Sequence, residues 1–315
     1  MTMAAHPEGA PAIARYDYEV FGLRIASEIL LPELLAAPDG HQWDVTIRMG
    51  RLGNIEGEKL NSLAVTAAGA VLNIPKAGRY FIRGGSEIIV EADPAGTERQ
   101  MRLFLLGSAL GAILHQRNLL PLHANSIEIA GRAVAFVGHS GAGKSTMAAW
   151  FHDRGFNVLA DDVCVVTTEA KRPIAQPGIP RLRMWRDALE ASGRSVDGYE
   201  LSFDDAEKYN VPTRVGEANG PRELGAIYLL RKQDEEARLP LVQPLNGVDA
   251  IDALVANTYR GGYVPMMGAT RQHLASCIAL ARAVPIFAVN RRWGKDYLEW
   301  QFRDVEEHAK AVLQD

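Results

Sequence analysis

The sequence predicts an α/β domain preceded by a small β-rich (α+β) N-terminal domain. Three observations predict it. Short strand-like runs fill the first third, a helical run follows, and from Leu119 apolar strands alternate with helical patterns. The boundaries expected from these changes are 1–96 for the β-rich unit, 97–118 for a connecting helix and 119–315 for the α/β domain.

Composition narrows the function classes. The chain has 315 residues, 47% hydrophobic and 23% charged, the profile of a folded globular protein. A net charge of −4 gives no general affinity for nucleic acid or anionic membranes, so neither is expected as a partner. Cys164 and Cys277 lie far apart in apolar surroundings and are expected to be buried, reduced thiols. The N-terminus carries no apolar signal-type segment. The most apolar stretch, LFLLGSALGAIL, is shorter than the roughly 20 residues that cross a bilayer. A cytoplasmic protein is expected.

Taken in order, residues 1–14 read as a loose tail. YDYEVFGLRIA, WDVTIRMG, LAVTAAGAVLNI, GRYFIRG and SEIIVEA read as strands of an antiparallel unit, punctuated by Gly, Pro, Asn and Asp. TERQMRLFLLGSALGAILHQRN switches to helical spacing. Met101, Leu105, Ala109, Ala112 and Ile113 form its apolar stripe, Thr97 its N-cap, and Glu98 sits in its first turn. Beyond it, SIEI and RAVAFV flank Ala130-Gly131, a two-residue turn that pairs His123 with Gly138. NVLA, VCVV, LGAIYLLR and VPIFAVN read as further strands, and TRQHLASCIALARA as a helix leading into the last.

The chemistry concentrates in FVGHSGAGKSTMAAWFHDRGFNVLADDVCVV. Gly138 to Ser145 fits the phosphate-loop pattern G-x-x-x-x-G-K-[ST], with an apolar strand before it and a helical pattern ending at Gly155. In such a loop, glycines let backbone N–H groups converge on phosphate oxygens at a helix N-terminus. Gly138, Ser140, Gly141, Ala142, Gly143, Lys144, Ser145 and Thr146 are therefore candidates for nucleotide binding. Lys144 would reach the β- and γ-phosphates and Ser145 would ligate Mg²⁺, which makes ATP and Mg²⁺ the expected cofactors. His139 occupies a variable position of the pattern and is expected to be incidental.

Asp161 and Asp162 follow soon after. A helix from Lys144 to Arg154 rises roughly 16 Å and a four-residue strand returns roughly 13 Å. A β–α–β crossover then brings both carboxylates back beside the loop. One would hold the metal and the other would accept a proton from an attacking hydroxyl; a solvated turn is the alternative. The hairpin register places His123 at the mouth of the loop, as a partner of phosphate or aspartate. Arg181, Arg183 and Arg186 could clamp an anion, or form the solvated face of a helix starting after Pro180. Lys208 is a further, weaker candidate for substrate or phosphate, and Arg291, Arg292 and Lys295 read as surface charge.

The segment LHANSIEIAGRAVAFVGHSGAGKSTMAAWFHDRGFNVLADDVCVV resembles the core of the HPr kinase/phosphorylase family, and more distantly ATP-dependent phosphoenolpyruvate carboxykinases. The resemblance implies an α/β P-loop kinase domain using ATP and Mg²⁺ to phosphorylate a serine. It assigns Asp161 as proton acceptor, Asp162 as the metal-side carboxylate and His123 as the auxiliary histidine. YDYEVFGLRIASEILLPEL, PLHAN and PGIPRLRMW further resemble the HPr-kinase-related proteins of lasso-peptide gene clusters, which implies a precursor peptide as partner, phosphorylated at its C-terminal serine. HPr itself, a small-molecule acceptor and a non-catalytic nucleotide sensor stay open at this point. The HPr kinases form hexamers; with a different N-terminal half here, homo-oligomer formation stays open too.

Overall fold

A computed structural model describes residues 15–38, 42–167, 172–186, 189, 195, 197–203, 206–212, 220–233, 236 and 238–314. The segment read as a loose tail, 1–14, lies outside the described residues.

The N-terminal strands are β1 (Tyr16–Val20), β2 (Leu23–Ser27), β3 (Leu35–Ala36), β4 (Val45–Met49), β5 (Ser62–Thr66), β6 (Gly69–Ile74), β7 (Gly78–Arg83) and β8 (Glu87–Ala92). They form one sheet in the order β3-β1-β2-β4-β8-β7-β6-β5. Each strand-like run of the sequence is there, and YDYEVFGLRIA and LAVTAAGAVLNI each fold back as a hairpin. The expectation of an antiparallel unit needs correction: β2–β4 and β4–β8 pair in parallel. Parallel partners come from segments distant in sequence, so no turn residue announces them.

The helical run forms α1 (Glu98–Phe104), a π-helical turn (Leu105–Ala109) and α2 (Leu110–Gln116). Thr97 caps α1 as expected, in a full capping box. Its hydroxyl accepts from Gln100 N at 3.1 Å, and Gln100 Oε1 accepts from Thr97 N. Met101, Leu105, Ala109, Ala112 and Ile113 are all buried against the N-terminal sheet, in a core that also takes in Val163 and Val165. The helix thus joins the first sheet to the strands that carry the aspartates.

The second sheet contains β9 (Leu120–Leu122), β10 (Ala124–Ile129), β11 (Arg132–Val137), β12 (Val158–Ala160), β13 (Cys164–Thr167) and β14 (Ile174–Gln176). β15 (Arg181–Trp185), β16 (Glu200–Phe203) and β17 (Ala206–Pro212) form a small sheet in the order β15-β17-β16. β18 (Arg222–Lys232), β19 (Val242–Leu245) and β20 (Ile286–Arg291) complete the second sheet, where β11, β18 and β20 run parallel.

Side chains on these central strands alternate between two cores, as a strand period of two requires. Ala133, Ala135, Val137, Ile227 and Leu229 face the helices Gly247–Ala256 and Thr270–Ala283, which supply Ala250, Leu254, Cys277 and Leu280. Val134, Phe136, Ala226, Tyr228 and Leu230 face the other way, against Phe151 of α3 (Lys144–Asp153) and Phe302 of the helix Lys295–Val312. The sheet is therefore covered on both faces, and the loop Gly138–Gly143 leaves it at the end of β11. Both cysteines are buried and unbridged. No helix among the described residues is long and apolar enough to cross a membrane.

Candidate active site

The β10–β11 hairpin turns at Ala130 and Gly131, with φ of 50° and 77°, the positive values of a type I′ turn. Its register runs from Ile129–Arg132 to Ala124–Val137, the register the two-residue turn predicts, and the ladder ends one step short of His123 and Gly138.

Gly138, at φ 149°, lies against β18; a Cβ there would stand 2.9 Å from the Leu230 carbonyl oxygen. Gly141 and Gly143 take φ of 80° and 88°, and Gly143 opens α3. Lys144 is buried. Its Nζ donates to the carbonyls of Gly138 at 2.6 Å and His139 at 3.2 Å, so the ammonium sits inside the curl of the loop. Ser145 and Thr146 follow in the first turn of α3. At the other end of the helix, Gly155 at φ 90° forms a Schellman cap: Phe156 N donates to Phe151 O and Gly155 N to His152 O.

β12 does not lie beside β11. It pairs antiparallel with β10, so the crossover through α3 passes over one strand. The aspartates nevertheless reach the site, because two strands break at the same place. The chain leaves β9 and enters β10 at His123, and leaves β12 and enters β13 at Asp161–Val163; β9 and β13 are neighbours, as are β10 and β12. His123 Nδ1 lies 3.0 Å from the Asp162 carbonyl oxygen and 3.6 Å from its carboxylate. A carbonyl only accepts, so Nδ1 carries the proton and Nε2 is the basic nitrogen of the neutral ring.

Asp162 has φ 69°, and Val163 N donates to Asp161 O at 2.8 Å across it, the form of a γ-turn. A non-glycine residue held there stores on the order of 1–3 kcal/mol, a feature that clusters at functional sites. Both carboxylates are held by one arginine. The Arg183 guanidinium forms an ion pair with Asp162, and Arg183 N donates to Asp161 Oδ2 at 2.7 Å. Burial works against the charge on Arg183, but Asp162 and Asp161 outweigh it and hold its pKa above the ordinary value. Burial, together with the neighbouring charge of Arg183, pulls Arg181 down to about 10.

The three arginines do not form one clamp, and the alternative, a helix starting after Pro180, is not what the chain forms there either. Residues 181–185 are the strand β15, paired with β17. Arg181 and Arg183, two apart on one strand, share a face; Arg186 Nη2 instead donates to Tyr209 Oη at 2.6 Å. Lys208 pairs with Trp185 in the ladder, and its side chain lies outside the described residues, as does that of Lys295.

Arg291 also needs correction. It is buried, 8% exposed, its Nη1 donates to Ala142 O at 2.9 Å, and its guanidinium lies 4.6 Å from the centre of the Phe302 ring. Burial pulls it down to about 10. It braces the phosphate-type loop from the sheet side. The only sequence signal is its place at the end of an apolar strand. Arg292 is exposed, as expected. His139, whose carbonyl holds the loop, leaves its side chain exposed.

Sequence reasoning missed Asn257 and Tyr259. Asn257 O accepts from His123 N at 2.7 Å, and the Tyr259 ring lies 6.2 Å from the His123 ring. Burial, then the charge of Asp162, raises the Tyr259 phenol. Asn257 also lines a cleft of about 750 Å³ with Ser140, Gly141, Lys232, Asp249 and Trp293. A continuous path therefore runs from this cleft through Asn257 and His123 to Asp162, Arg183 and Asp161.

No protein-family model matches the chain, and no curated protein does. Among solved structures, an Hpr(Ser) kinase/phosphatase from Coxiella burnetii is similar at 18% identity and a TM-score of 0.34, over 60% of this chain and 89% of that one. At that level of likeness the chemistry has to be read from the site itself.

Proposed function

We propose that the protein is a cytoplasmic ATP-dependent serine kinase. The observation that carries this reading is the meeting of two features at one sheet end: a lysine-bearing glycine loop opening a helix, and a carboxylate pair with a histidine where two strands break. A nucleotide sensor needs the first and has no use for the second.

The cleft beside Ser140 and Gly141 takes the nucleotide, with its phosphates on the loop amides at the start of α3. Lys144 exchanges the Gly138 and His139 carbonyls for the β- and γ-phosphate oxygens. The Ser145 hydroxyl and the Asp162 carboxylate are hard oxygen donors that suit Mg²⁺. No group of three His, Cys, Asp or Glu side chains among the described residues forms an all-protein cage, which fits a metal shared with phosphates. When bound, Mg²⁺ neutralises charge on the phosphate oxygens.

Asp161 accepts the proton of the serine hydroxyl as the serine oxygen bonds to the γ-phosphorus. The bond from that phosphorus to the β–γ bridging oxygen breaks, ADP leaves, and Asp161 later returns its proton to water. The Arg183 backbone N–H fixes Asp161 and the guanidinium fixes Asp162, while His123 reads the state of Asp162 through its carbonyl and carboxylate. The acceptor is a precursor peptide of the lasso type carrying a serine at its C-terminus. Support for that finer step is the resemblance of YDYEVFGLRIASEILLPEL, PLHAN and PGIPRLRMW to kinases of lasso-peptide clusters.

The test is ADP release by the full chain with Mg²⁺ and ATP, with and without a serine-ended peptide. Release that depends on the peptide and falls about 10³-fold in Asp161→Asn supports the reading. Peptide-independent release in both proteins, or none with nucleotide bound, contradicts it.

A further inference from the structure

A large aromatic side chain stands in the cleft beside the phosphate-type loop. Trp293 is 50% exposed and lines the same cavity of about 750 Å³ as Ser140, Gly141 and Ala142. Clefts of that size that bind small molecules are lined by aromatic faces.

The sheet fixes where this ring sits. β10, β11, β18 and β20 are successive neighbours. His123 precedes β10, the loop follows β11, and Trp293 lies two residues past the end of β20. Neighbouring strands stand about 4.8 Å apart, so the end of β20 is roughly 10 Å from the end of β11, on the side away from His123. The loop therefore stands between the histidine and the tryptophan.

The backbone that carries the ring is clamped. Arg291, the last residue of β20, donates through Nη1 to Ala142 O at 2.9 Å, which ties the strand end to the loop. Gln301, 1% exposed, then grips Arg292 from both sides: its Oε1 accepts from Arg292 N at 3.0 Å and its Nε2 donates to Arg292 O at 3.0 Å. An exposed ring on a fixed backbone gives up little freedom when a ligand lies against it. The Lys232 ammonium stands 5.8 Å from the ring centre, a cation beside the aromatic face. Another wall of the cleft is one face of the helix Gly247–Ala256, with Asp249, Asp252, Ala253 and Ala256 at helical spacing. Its carboxylates disfavour phosphate oxygens there, and its alanines leave room for a flat ring.

We propose that Trp293 is the platform on which the base of the nucleotide stacks, with the phosphates on the loop and the γ-phosphate at the His123 end. Resting on the reading of the loop as a nucleoside triphosphate site, this assigns what holds the other end of the molecule. Every base has a π face, so a stacking platform holds a base without choosing among them. ATP and GTP therefore bind alike.

Calorimetry on the full chain with Mg²⁺ and no acceptor tests this, because binding then does not depend on transfer. The probes are ATP, GTP and ribose 5′-triphosphate, which keeps the sugar and phosphates and lacks the base. ATP and GTP are expected to bind within about 3-fold of each other, and about 10-fold or more tightly than the base-free probe. Trp293→Ala, checked for an unchanged unfolding midpoint, is expected to bring ATP down to the affinity of the base-free probe while leaving that probe's own affinity unchanged. Trp293→Phe keeps an aromatic face and is expected to retain most of the preference. Equal affinity of wild type for ATP and the base-free probe, a base preference that survives Trp293→Ala, or a 10-fold or greater choice between ATP and GTP would overturn the platform and leave the kinase reading standing. Failure of all three probes to bind would contradict both.

Discussion

Gly143 and Arg291 hold the phosphate-type loop in shape together, and their coupling can be measured. At Gly143, φ is 88°, a region that costs a non-glycine residue about 1–2 kcal/mol. A Cβ added there would also lie 2.3 Å from Arg291 Nη1 and 3.3 Å from its central carbon. A guanidinium is ordinarily easy to displace, but this one is buried between Ala142 O and the Phe302 ring. Moving it gives up a charge-assisted hydrogen bond, about 1.5–3 kcal/mol, and part of a cation–π contact, about 0.5–1 kcal/mol. Gly143→Ala alone should therefore cost about 3–5 kcal/mol. In an Arg291→Met background the displaced contacts are already gone, so the same change should cost only the backbone strain, about 1–2 kcal/mol. The assay is urea unfolding of the wild type, both single variants and the double variant, with the coupling taken from the cycle. A coupling of about 2 kcal/mol or more is expected. Costs that add to within about 0.5 kcal/mol would refute the idea that Arg291 braces the loop.

Three further outcomes follow from single contacts. Thr97→Ala removes one half of the capping box and should destabilise the chain by about 1 kcal/mol in the same unfolding assay. Lys144→Ala should abolish tight binding of a fluorescent ATP analogue, because it removes the ammonium held inside the curl of the loop by the Gly138 and His139 carbonyls. Acidification should destabilise the fold through buried histidines. Burial lowers His115, which is bonded to the Tyr259 carbonyl, below its ordinary 6.5, and lowers His273 and His308 as well. A lowered pKa means the folded state binds fewer protons, so this stabilisation is complete above about pH 6.5 and lost as pH falls through the folded value. The unfolding midpoint should drop on going from about pH 7.5 to about pH 5, and His115→Gln should flatten that drop.

What was legible in the sequence was local. Turn chemistry at Ala130-Gly131 fixed the hairpin register from Ala124 to Val137, because a two-residue turn leaves no freedom in pairing. Helical spacing marked Thr270–Ala283 to the residue. The remainder depended on partners distant in the chain. Nothing in NVLA says that it will pair with β10 and not β11, and nothing near WDVTIRMG announces parallel neighbours. Arg183 reads as part of an anion clamp and Arg291 as surface charge until the fold sets carboxylates beside one and a carbonyl and an aromatic ring beside the other. Asn257 and Tyr259 act through a backbone carbonyl and a ring edge, which leave no motif.

In the proposed kinase, the loop at Lys144 and the carboxylate at Asp161 serve one transfer reaction. The intact mass of a serine-ended peptide, recorded after incubation with Mg²⁺ and ATP, tests it most directly. Wild type is expected to add the mass of one phosphoryl group to the serine, Lys144→Ala and Asp161→Asn to add none in the same time, and Asp161→Asn still to bind nucleotide. Phosphorylation by Asp161→Asn at the wild-type rate, or an unmodified peptide with wild type and bound ATP, would contradict it.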